Sequence, residues 1–214
     1  NGVVEGCRSL ETLHLPAKLE SIHGSWPSSL KTITTAFGSV RYVSEDGILY
    51  DTQENSIVFV NASITGHVTV RDGITKIGEG AFSGRTGLTG ITLPESCTVI
   101  DSYAFENCTA LTDINFPEKL ELIGRNAFYN SGITSLKLSQ PGLHVESFAF
   151  TDCHQLKSVE ITSTDFDLME WAFARCENLE TVILPPQVFR MEGGCFTECT
   201  SLTTVVLPKN ITFV

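Results

Sequence analysis

The stretch AFENCTALTDINFPEKLELIGRNAF, residues 104–128, begins and ends on the same dipeptide, Ala-Phe. Equivalent dipeptides stand at residues 81–82, 104–105, 127–128, 149–150, 172–173 and, as Cys-Phe, 195–196. The interval between successive dipeptides is 22 or 23 residues. A constant interval of this length indicates an internal repeat, so the chain is built from copies of one short structural unit.

Other positions of the repeat hold the same register. The third residue after each Phe is, in order, Arg85, Cys108, Ser131, Cys153, Cys176 and Cys199. Pairs of aliphatic residues follow, for example Leu111 with Ile114. Leu, Cys and Phe in register at a period of roughly 20–29 residues are typical of a leucine-rich solenoid. One coil of this length cannot bury its own apolar face, whereas stacked coils bury it against each other.

Each repeat is expected to contribute one main strand, a turn of helix and a second, shorter strand. In LTDINF, residues 111–116, Ile114 and Phe116 alternate with polar residues, as in a strand that buries one face. The Ala-Phe-x-x-Cys segment is predicted to form a turn of helix on another side of the coil. The sequence thus predicts a right-handed, mostly β leucine-rich-repeat solenoid. Its parallel sheet forms one face, and helical turns and second short strands form the other.

Nine rungs are predicted from residues equivalent to Ile114, namely Leu13, Ile33, Val68, Ile91, Ile114, Leu136, Val159, Val182 and Val205. At about 4.8 Å between strands, this sheet would run roughly 40 Å. Residues 44–64 interrupt the register, and GILYDTQENSIVFVN is typical of a hairpin. We therefore interpret residues 1–214 as a single solenoid with a hairpin insertion at 44–64. Since the sequence stops within a coil, at KNITFV, it is expected to be part of a longer array.

These repeats carry a family resemblance. FPEKLELIGRNAFYNSGITSLKL (116–138) and TLPESCTVIDSYAFENCTALTDINFP (92–117) resemble the BspA-like leucine-rich repeat. The segment SEDGILYDTQENSIVFVNASITGHVTVRDGITKIGEGAF (44–82) resembles an insertion that recurs in that family. The resemblance implies a cell-surface or secreted protein that binds host or neighbouring-cell components, without a catalytic site.

The charge pattern argues against several classes of partner. Fourteen Lys and Arg stand against 25 Asp and Glu, a formal net charge of −11. Nucleic acid is not expected as a partner, because phosphate binding requires a basic stripe. Membrane insertion is not expected either, because no apolar run approaches the roughly 20 residues of a membrane helix. No phosphate-binding loop or hydrolase motif is present, and no cofactor is predicted.

The seven cysteines all fall on core positions of the repeat, where a free thiol acts as a small hydrophobe. Free, buried thiols are therefore predicted, although neighbouring rungs are close enough to form a bridge. No CxxC pair exists, and the ligand set of a structural zinc cannot be assembled. Asp51 and Glu54 could hold calcium, but a solvated hairpin tip is the favoured interpretation.

The solvent-facing residue at the centre of each strand is the candidate for ligand binding. In chain order this row is His14, Thr34, Thr69, Thr92, Asn115, Lys137, Glu160, Ile183 and Val206, and it is flanked by Asp113, Lys157 and Glu180. The last two rungs expose aliphatic side chains next to charged ones, which is typical of a protein-binding surface. The alternative is that Ile183 and Val206 are merely strand formers.

Three functions compete. A non-enzymatic recognition module would bind a protein or glycoprotein, such as extracellular matrix or a host surface, through the concave strand face. A structural spacer in a larger surface protein would have no ligand of its own. A hydrolase is the remote alternative, because it requires acid, base or nucleophile groups that converge in a pocket.

Overall fold

Successive repeats of the sequence fold into successive coils of extended chain. The computed structural model describes residues 4, 6–22, 26–163, 166–185 and 190–206. The segment KNITFV and its predicted role as an uncapped end lie outside these residues. The strands are β1 (Thr12–Leu15), β2 (Thr32–Thr35), β3 (Tyr42–Glu45), β4 (Ile48–Asp51), β5 (Ser56–Val60), β6 (Gly66–Thr69), β7 (Lys76–Ile77), β8 (Leu88–Thr92), β9 (Val99–Ile100), β10 (Asp113–Ile114), β11 (Leu122–Ile123), β12 (Ser135–Leu138), β13 (His144–Val145), β14 (Ser158–Ile161), β15 (Asp167–Leu168), β16 (Thr181–Ile183), β17 (Arg190–Met191) and β18 (Thr204–Val206).

The main strand of each repeat lies on one side of the solenoid, which we call the strand face. It consists of β1, β2, β6, β8, β10, β12, β14, β16 and β18, all of which pair in parallel with a neighbouring rung. The aliphatic residues that defined the rungs stand opposite one another, as Leu136 does with Val159. The predicted mostly β, leucine-rich-repeat solenoid is therefore the observed fold.

The strand face is not the one continuous parallel sheet that the repeat predicted. Among the described residues it divides into ladders of two, three and four strands. The first break follows β2, where the insertion interrupts the repeat. There the backbone amide of Ile33 donates to the side chain of Asn61 and not to a neighbouring strand. The second break lies between β10 and β12, where the interval from Ile114 to Leu136 is 22 residues. A coil shortened by one residue shifts the strand out of step with its neighbour.

The continuous sheet lies on the other side of the coils. It has nine described strands in the order β17-β15-β13-β11-β9-β7-β5-β4-β3, and those of the regular coils are only two residues long. The hairpin insertion is present as the antiparallel pair β4 and β5. It extends to a third strand, β3, and β5 pairs in parallel with β7. The insertion thus forms the N-terminal end of this second sheet.

The third side of each coil, which we call the turn face, was predicted to be helical, and this is wrong. The described residues contain turns there and no helix. Two backbone positions four residues apart are left-handed in each of the six coils that carry the Ala-Phe or Cys-Phe dipeptide, as at Tyr103 (φ 59°) and Asn107 (φ 57°). Alternate amides close local turns, as Ala104 N does on Asp101 O, and the others donate to the next coil, as Phe105 N does to Ala127 O at 2.7 Å. In an α-helix every backbone amide donates to the carbonyl four residues earlier, so the amides that donate to the next coil are incompatible with a helix here.

A stack of phenylalanine rings fills the core. Phe82, Phe105, Phe128, Phe150, Phe173 and Phe196 lie one above the other, with ring centroids 5.0–5.7 Å apart. The first five are fully buried. Stacked rings at this spacing add to the favourable free energy of apolar burial. The repeat interval therefore sets the position of each ring directly over the ring of the previous coil.

The Cys position next to this stack serves as a hydrogen-bond ladder between coils. The Sγ atoms of Cys108, Cys153, Cys176 and Cys199 each donate to a Phe carbonyl of the preceding coil, at 3.1–3.2 Å. Arg85 occupies the same position and donates from Nε to the carbonyl of Val60 at 2.6 Å. A guanidinium thus makes the contact that a thiol makes elsewhere in the ladder.

The prediction that every cysteine is buried is wrong for two of the seven. All seven are free thiols at described positions, but Cys7 is exposed and Cys199 is half-buried. Both stand near the ends of the described coils, where fewer neighbouring coils cover them. Burial raises the pKa of Cys97 to about 11 and the pKa of Cys108 and Cys195 to about 12.

Thiol labelling should distinguish these environments. With a disulfide reagent at pH 8 under native conditions, we expect Cys7 to react first and Cys199 next. The buried thiols should react only as fast as the solenoid opens, because the thiolate is the reactive form and burial suppresses it. The variant Cys7→Ser with Cys199→Ser should lose the fast phases. Rapid native labelling of Cys108 in this variant would contradict the buried ladder.

Candidate binding face

The strands bring the predicted row of exposed residues together. Lys137, Glu160, Ile183 and Val206 stand on four consecutive rungs of one ladder, each directly opposite the next. In the other ladders, His14 is opposite Thr34, and Thr69 is opposite Thr92. Since cross-strand neighbours on one face lie about 4.8 Å apart, these side chains form rows across the strand face. Their role in binding remains a prediction.

The C-terminal end of the row is an exposed apolar pair. The relative exposure is 50% for Ile183 and 61% for Val206. Next to it, Lys137 Nζ lies 3.1 Å from Glu160 Oε1. Lys157 and Glu180, which directly precede β14 and β16, are also exposed. The arrangement is an uncovered β-branched surface with a charged border.

Asn115 differs from the other members of the row, because its side chain is used within the fold. Its Oδ1 accepts from the amide of Leu93 at 2.7 Å, and its Nδ2 donates to the carbonyl of Leu93 at 2.9 Å. The side-chain amide of Asn115, just beyond the end of β10, thus makes both of these hydrogen bonds to the neighbouring coil. We interpret Asn115 as a structural residue of the exposed surface.

A cluster that the sequence did not reveal lies in the middle ladder. His67 and Asp113 stand on either side of Gly90 in the register of β6, β8 and β10. The imidazole lies across this glycine, since a Cβ on Gly90 would come within 2.3 Å of His67 Nδ1. His67 Nε2 is 2.8 Å from Thr92 Oγ1, and Nδ1 is 3.7 Å from Asp113 Oδ2. A glycine inside a strand often marks such a close approach and was the available signal.

The N-terminal end of the row also forms an internal contact. His14 Nδ1 lies 2.8 Å from the hydroxyl of Thr34 on the next rung. Both side chains are exposed. Some polar side chains of the N-terminal and middle rungs therefore hydrogen-bond to each other, whereas Ile183 and Val206 are exposed to solvent.

Asp51 is not part of a solvated hairpin tip, contrary to the prediction. It is buried, and its carboxylate lies 2.9 Å from Arg41 Nη2. Its Oδ1 also accepts from the backbone amides of Gln53 and Glu54. Asp51 thus organises the β4–β5 turn. In the part of the chain that the structure describes, no group of three or more His, Cys, Asp or Glu is placed to hold a metal ion.

The parallel rungs, the period of 22 or 23 residues and the stacked Leu, Cys and Phe positions define a leucine-rich-repeat solenoid. The family model of the BspA type Leucine rich repeat region matches residues 52–144 and 121–214, with six copies. The chain therefore belongs to the BspA-type leucine-rich repeat family.

Solved structures of bacterial repeat proteins share this fold. A leucine rich cell surface protein from Faecalibacterium prausnitzii superimposes with a TM-score of 0.66 and 25% identity, over 91% of this chain and 47% of its own. A leucine-rich repeat protein from Eubacterium ventriosum gives 0.72 and 20% identity, over 95% and 56%. The pneumococcal vaccine antigen PcpA gives 0.68 and 19%, over 86% and 46%. This chain thus spans about half the length of these proteins.

No curated protein matches the chain. Among the described residues, there is no helix with the length and apolar character needed to span a membrane.

Proposed function

We propose that this chain is a non-enzymatic recognition module of a cell-surface or secreted protein. It binds a protein or glycoprotein, such as a matrix or host-surface component, through the strand face. The observation that carries this proposal is the exposed pair Ile183 and Val206 beside the Lys137–Glu160 ion pair. An apolar centre with a charged border is the usual composition of a protein-binding patch.

The architecture supports a binding role for this surface. The core positions of the solenoid are separate from the strand-face positions, so exposed residues can vary without disturbing the fold. A surface location is supported by the structural similarity to a protein described as a leucine rich cell surface protein. The family is one of repeat proteins, and no pocket of converging catalytic groups is needed for recognition of this kind.

Substitutions on the strand face should abolish binding and leave the fold intact. We expect Ile183→Asp to lose saturable binding to the retained component of a panel of purified matrix proteins, mucins and glycans. The loss should be tenfold or more, because burying an unpaired carboxylate in an apolar contact costs more than about 1.4 kcal/mol. Lys137→Glu should also weaken binding, since it reverses one charge of the border that the ligand contacts. Surface plasmon resonance would measure both affinities, and thermal unfolding should change little.

Val40→Asp is the matched control for this experiment. Val40 is 79% exposed and lies in the turn between β2 and β3, away from the four-stranded ladder. This equivalent change, of an exposed β-branched residue to aspartate, should leave binding unaltered. If both Ile183→Asp and Lys137→Glu bind with unchanged affinity, the strand face is not the binding surface.

A structural spacer is the second candidate function. It is favoured by the internal contacts of the strand face, where His14 bonds Thr34, Asn115 bonds Leu93 and Lys137 pairs with Glu160. A spacer has no requirement for the identity of these residues. A panel without any saturable binder would favour this function over recognition.

The hydrolase alternative has one specific observation in its favour. Thr92, His67 and Asp113 stand in the order hydroxyl, imidazole, carboxylate, the order that activates a nucleophile. The cluster lies on an open strand surface, and the 3.7 Å from His67 to Asp113 exceeds a hydrogen bond. Ester or peptide turnover that is lost in His67→Gln would favour this alternative.

A further inference from the structure

The turn face carries an aromatic pair, the half-buried Phe148 and the exposed Trp171, in an unfavourable backbone conformation. The residue that precedes each Ala-Phe or Cys-Phe dipeptide is left-handed, and these residues are Gly80, Tyr103, Asn126, Phe148, Trp171 and Gly194. Glycine and asparagine adopt this conformation easily, whereas bulky aromatic residues rarely do. Three of the six residues are nevertheless aromatic, and of these Phe148 (φ 63°) and Trp171 (φ 60°) stand on neighbouring coils. Such outliers often mark functional positions.

The two rings form a platform at the surface. Their centroids are 6.4 Å apart with an interplanar angle of 11°, and Trp171 is 40% exposed. The guanidinium of Arg125 lies 5.2 Å from the centre of the Phe148 ring. On the next coil, Gly194 leaves room for the indole, because a Cβ there would approach Trp171 to 3.0 Å. The platform therefore runs from Arg125 across Phe148 to Trp171.

This platform is one wall of a groove of about 490 Å³, which we call the aromatic groove. Its residues are Arg125, Asn126, Tyr129, Phe148, Thr151, Trp171, Ala174, Arg175 and Glu198. A groove of this size is typical of a small-ligand site, in which aromatic walls carry a few fixed polar groups. The groove is separate from the strand face, so its role is independent of the function proposed above.

The polar groups of the aromatic groove are held in place by Asp152. Its Oδ2 lies 2.5 Å from Arg175 Nη2, and a hydrogen bond to Asp152 raises the pKa of Tyr129. Asp152 itself is buried. Thr151 Oγ1 donates to the carbonyl of Trp171 at 2.7 Å and so fixes the backbone below the indole. The remaining N–H groups of Arg175 and the lone pairs of the Tyr129 hydroxyl are left to contact a ligand.

The charges of the aromatic groove balance. Of the lining residues, Arg125, Arg175 and Glu198 are charged, Asp152 pairs with Arg175, and Glu146 accepts from the backbone amide of Arg125. A balanced groove has no strong preference for an anion or a cation. It can supply an aromatic face for stacking and a planar guanidinium that donates two parallel hydrogen bonds.

We propose that the aromatic groove binds a neutral pyranose ring of a glycan. A pyranose has an apolar C–H face, which packs against the exposed part of Trp171 and the side of Phe148 that lines the groove. Its rim of hydroxyl groups can accept from Arg175 and donate to the Tyr129 oxygen. A charged uronate or nucleotide gains no net electrostatic advantage from the balanced groove. An apolar peptide side chain would leave the polar groups of the groove buried and unpaired.

The fluorescence of Trp171 can test this site directly. The chain has two tryptophans, so Trp26→Phe makes Trp171 the sole indole. This variant is to be titrated with cellotetraose, mannotetraose and the tetramer of N-acetylglucosamine, and calorimetry is to follow any response. We expect a saturable change in Trp171 emission with at least one of these neutral tetrasaccharides. No saturable change with any of them would overturn the proposal.

The residue assignment is tested with matched variants, by calorimetry in the native background. Trp171→Asn should weaken tetrasaccharide binding about tenfold or more, because the stacking surface is removed. It should remain folded, since Asn126 occupies the equivalent left-handed position two coils earlier. Tyr103→Asn makes the same kind of change at the same repeat position outside the aromatic groove and should bind as wild type.

Three results would count against this site. These are equal affinity in Trp171→Asn and wild type, equal loss in Tyr103→Asn, and a response of Trp171 to a tyrosine-rich peptide but to no sugar. Ile183→Asp should leave tetrasaccharide binding unchanged, so failure of the strand-face proposal is distinguishable from failure here.

Discussion

Phe128→Ala is expected to lower the free energy of unfolding by about 3–5 kcal/mol, the usual cost of removing a fully buried aromatic ring. Phe128 lies between Phe105 and Phe150, with ring centroids at 5.1 and 5.0 Å, and Phe116 meets its edge at 5.9 Å. It is fully buried. The coils above and below are fixed by their own ladders, so they cannot collapse into the cavity. Urea unfolding followed by circular dichroism would measure the change.

Phe196→Ala is the matched control. Phe196 occupies the same repeat position, but it is half-buried, and among the described residues its one stacking partner is Phe173, at 5.7 Å. We expect less than half the loss found for Phe128→Ala, because less apolar surface is removed from contact. Equal losses at the two positions would show that stacking depth does not determine stability in this solenoid.

Arg85→Ala is expected to cost about 3 kcal/mol, because it removes charged hydrogen bonds and packing together. Arg85 is buried, and burial lowers the pKa of its guanidinium. Its Nη1 donates to the carbonyl of Ser83 at 2.9 Å, in addition to the bond from Nε to Val60. Its guanidinium lies 4.9 Å from the centre of the Phe59 ring. Arg85 thus joins the hairpin insertion to the regular coils.

Arg85→Cys separates the hydrogen bond from the packing. Cys108, one coil later, donates from Sγ to the carbonyl of Phe82 at 3.1 Å, so a thiol at residue 85 should restore the contact to Val60. We expect the free energy of unfolding of this variant to fall by roughly 1–2 kcal/mol, mainly because the shorter side chain no longer covers the ring of Phe59. Chemical denaturation of both variants measures the difference. If Arg85→Ala and Arg85→Cys are equally stable, the ladder bond at this position contributes nothing.

The candidate binding face could be predicted only in part from the sequence. The row from Lys137 to Val206 followed from the repeat, because residues at equivalent positions on parallel rungs must be neighbours. The clamp from Asn115 to Leu93 and the cluster around Gly90 did not follow. They depend on side-chain conformations that cross between coils, and periodicity carries no information about these.

The aromatic groove was also outside the reach of the sequence. Phe148 and Trp171 occupy a repeat position that Gly or Asn fills in three other coils, and only the structure shows its conformation to be left-handed. Their proximity to Tyr129 and Arg175 arises from a turn face that the Ala-Phe-x-x-Cys pattern had wrongly suggested to be helical. Turns with alternate amides directed to the next coil bring these side chains to one surface.

The sequence by itself determined the solenoid, the core positions and the order of the rungs. These follow from a hydrophobic period that can be buried only by stacking one coil on the next. The tertiary structure decided which sheet is continuous, how the insertion enters it and where the strand face breaks. Those outcomes depend on hydrogen bonds between neighbouring coils, whose geometry changes when a single residue is lost, as it is between Ile114 and Leu136.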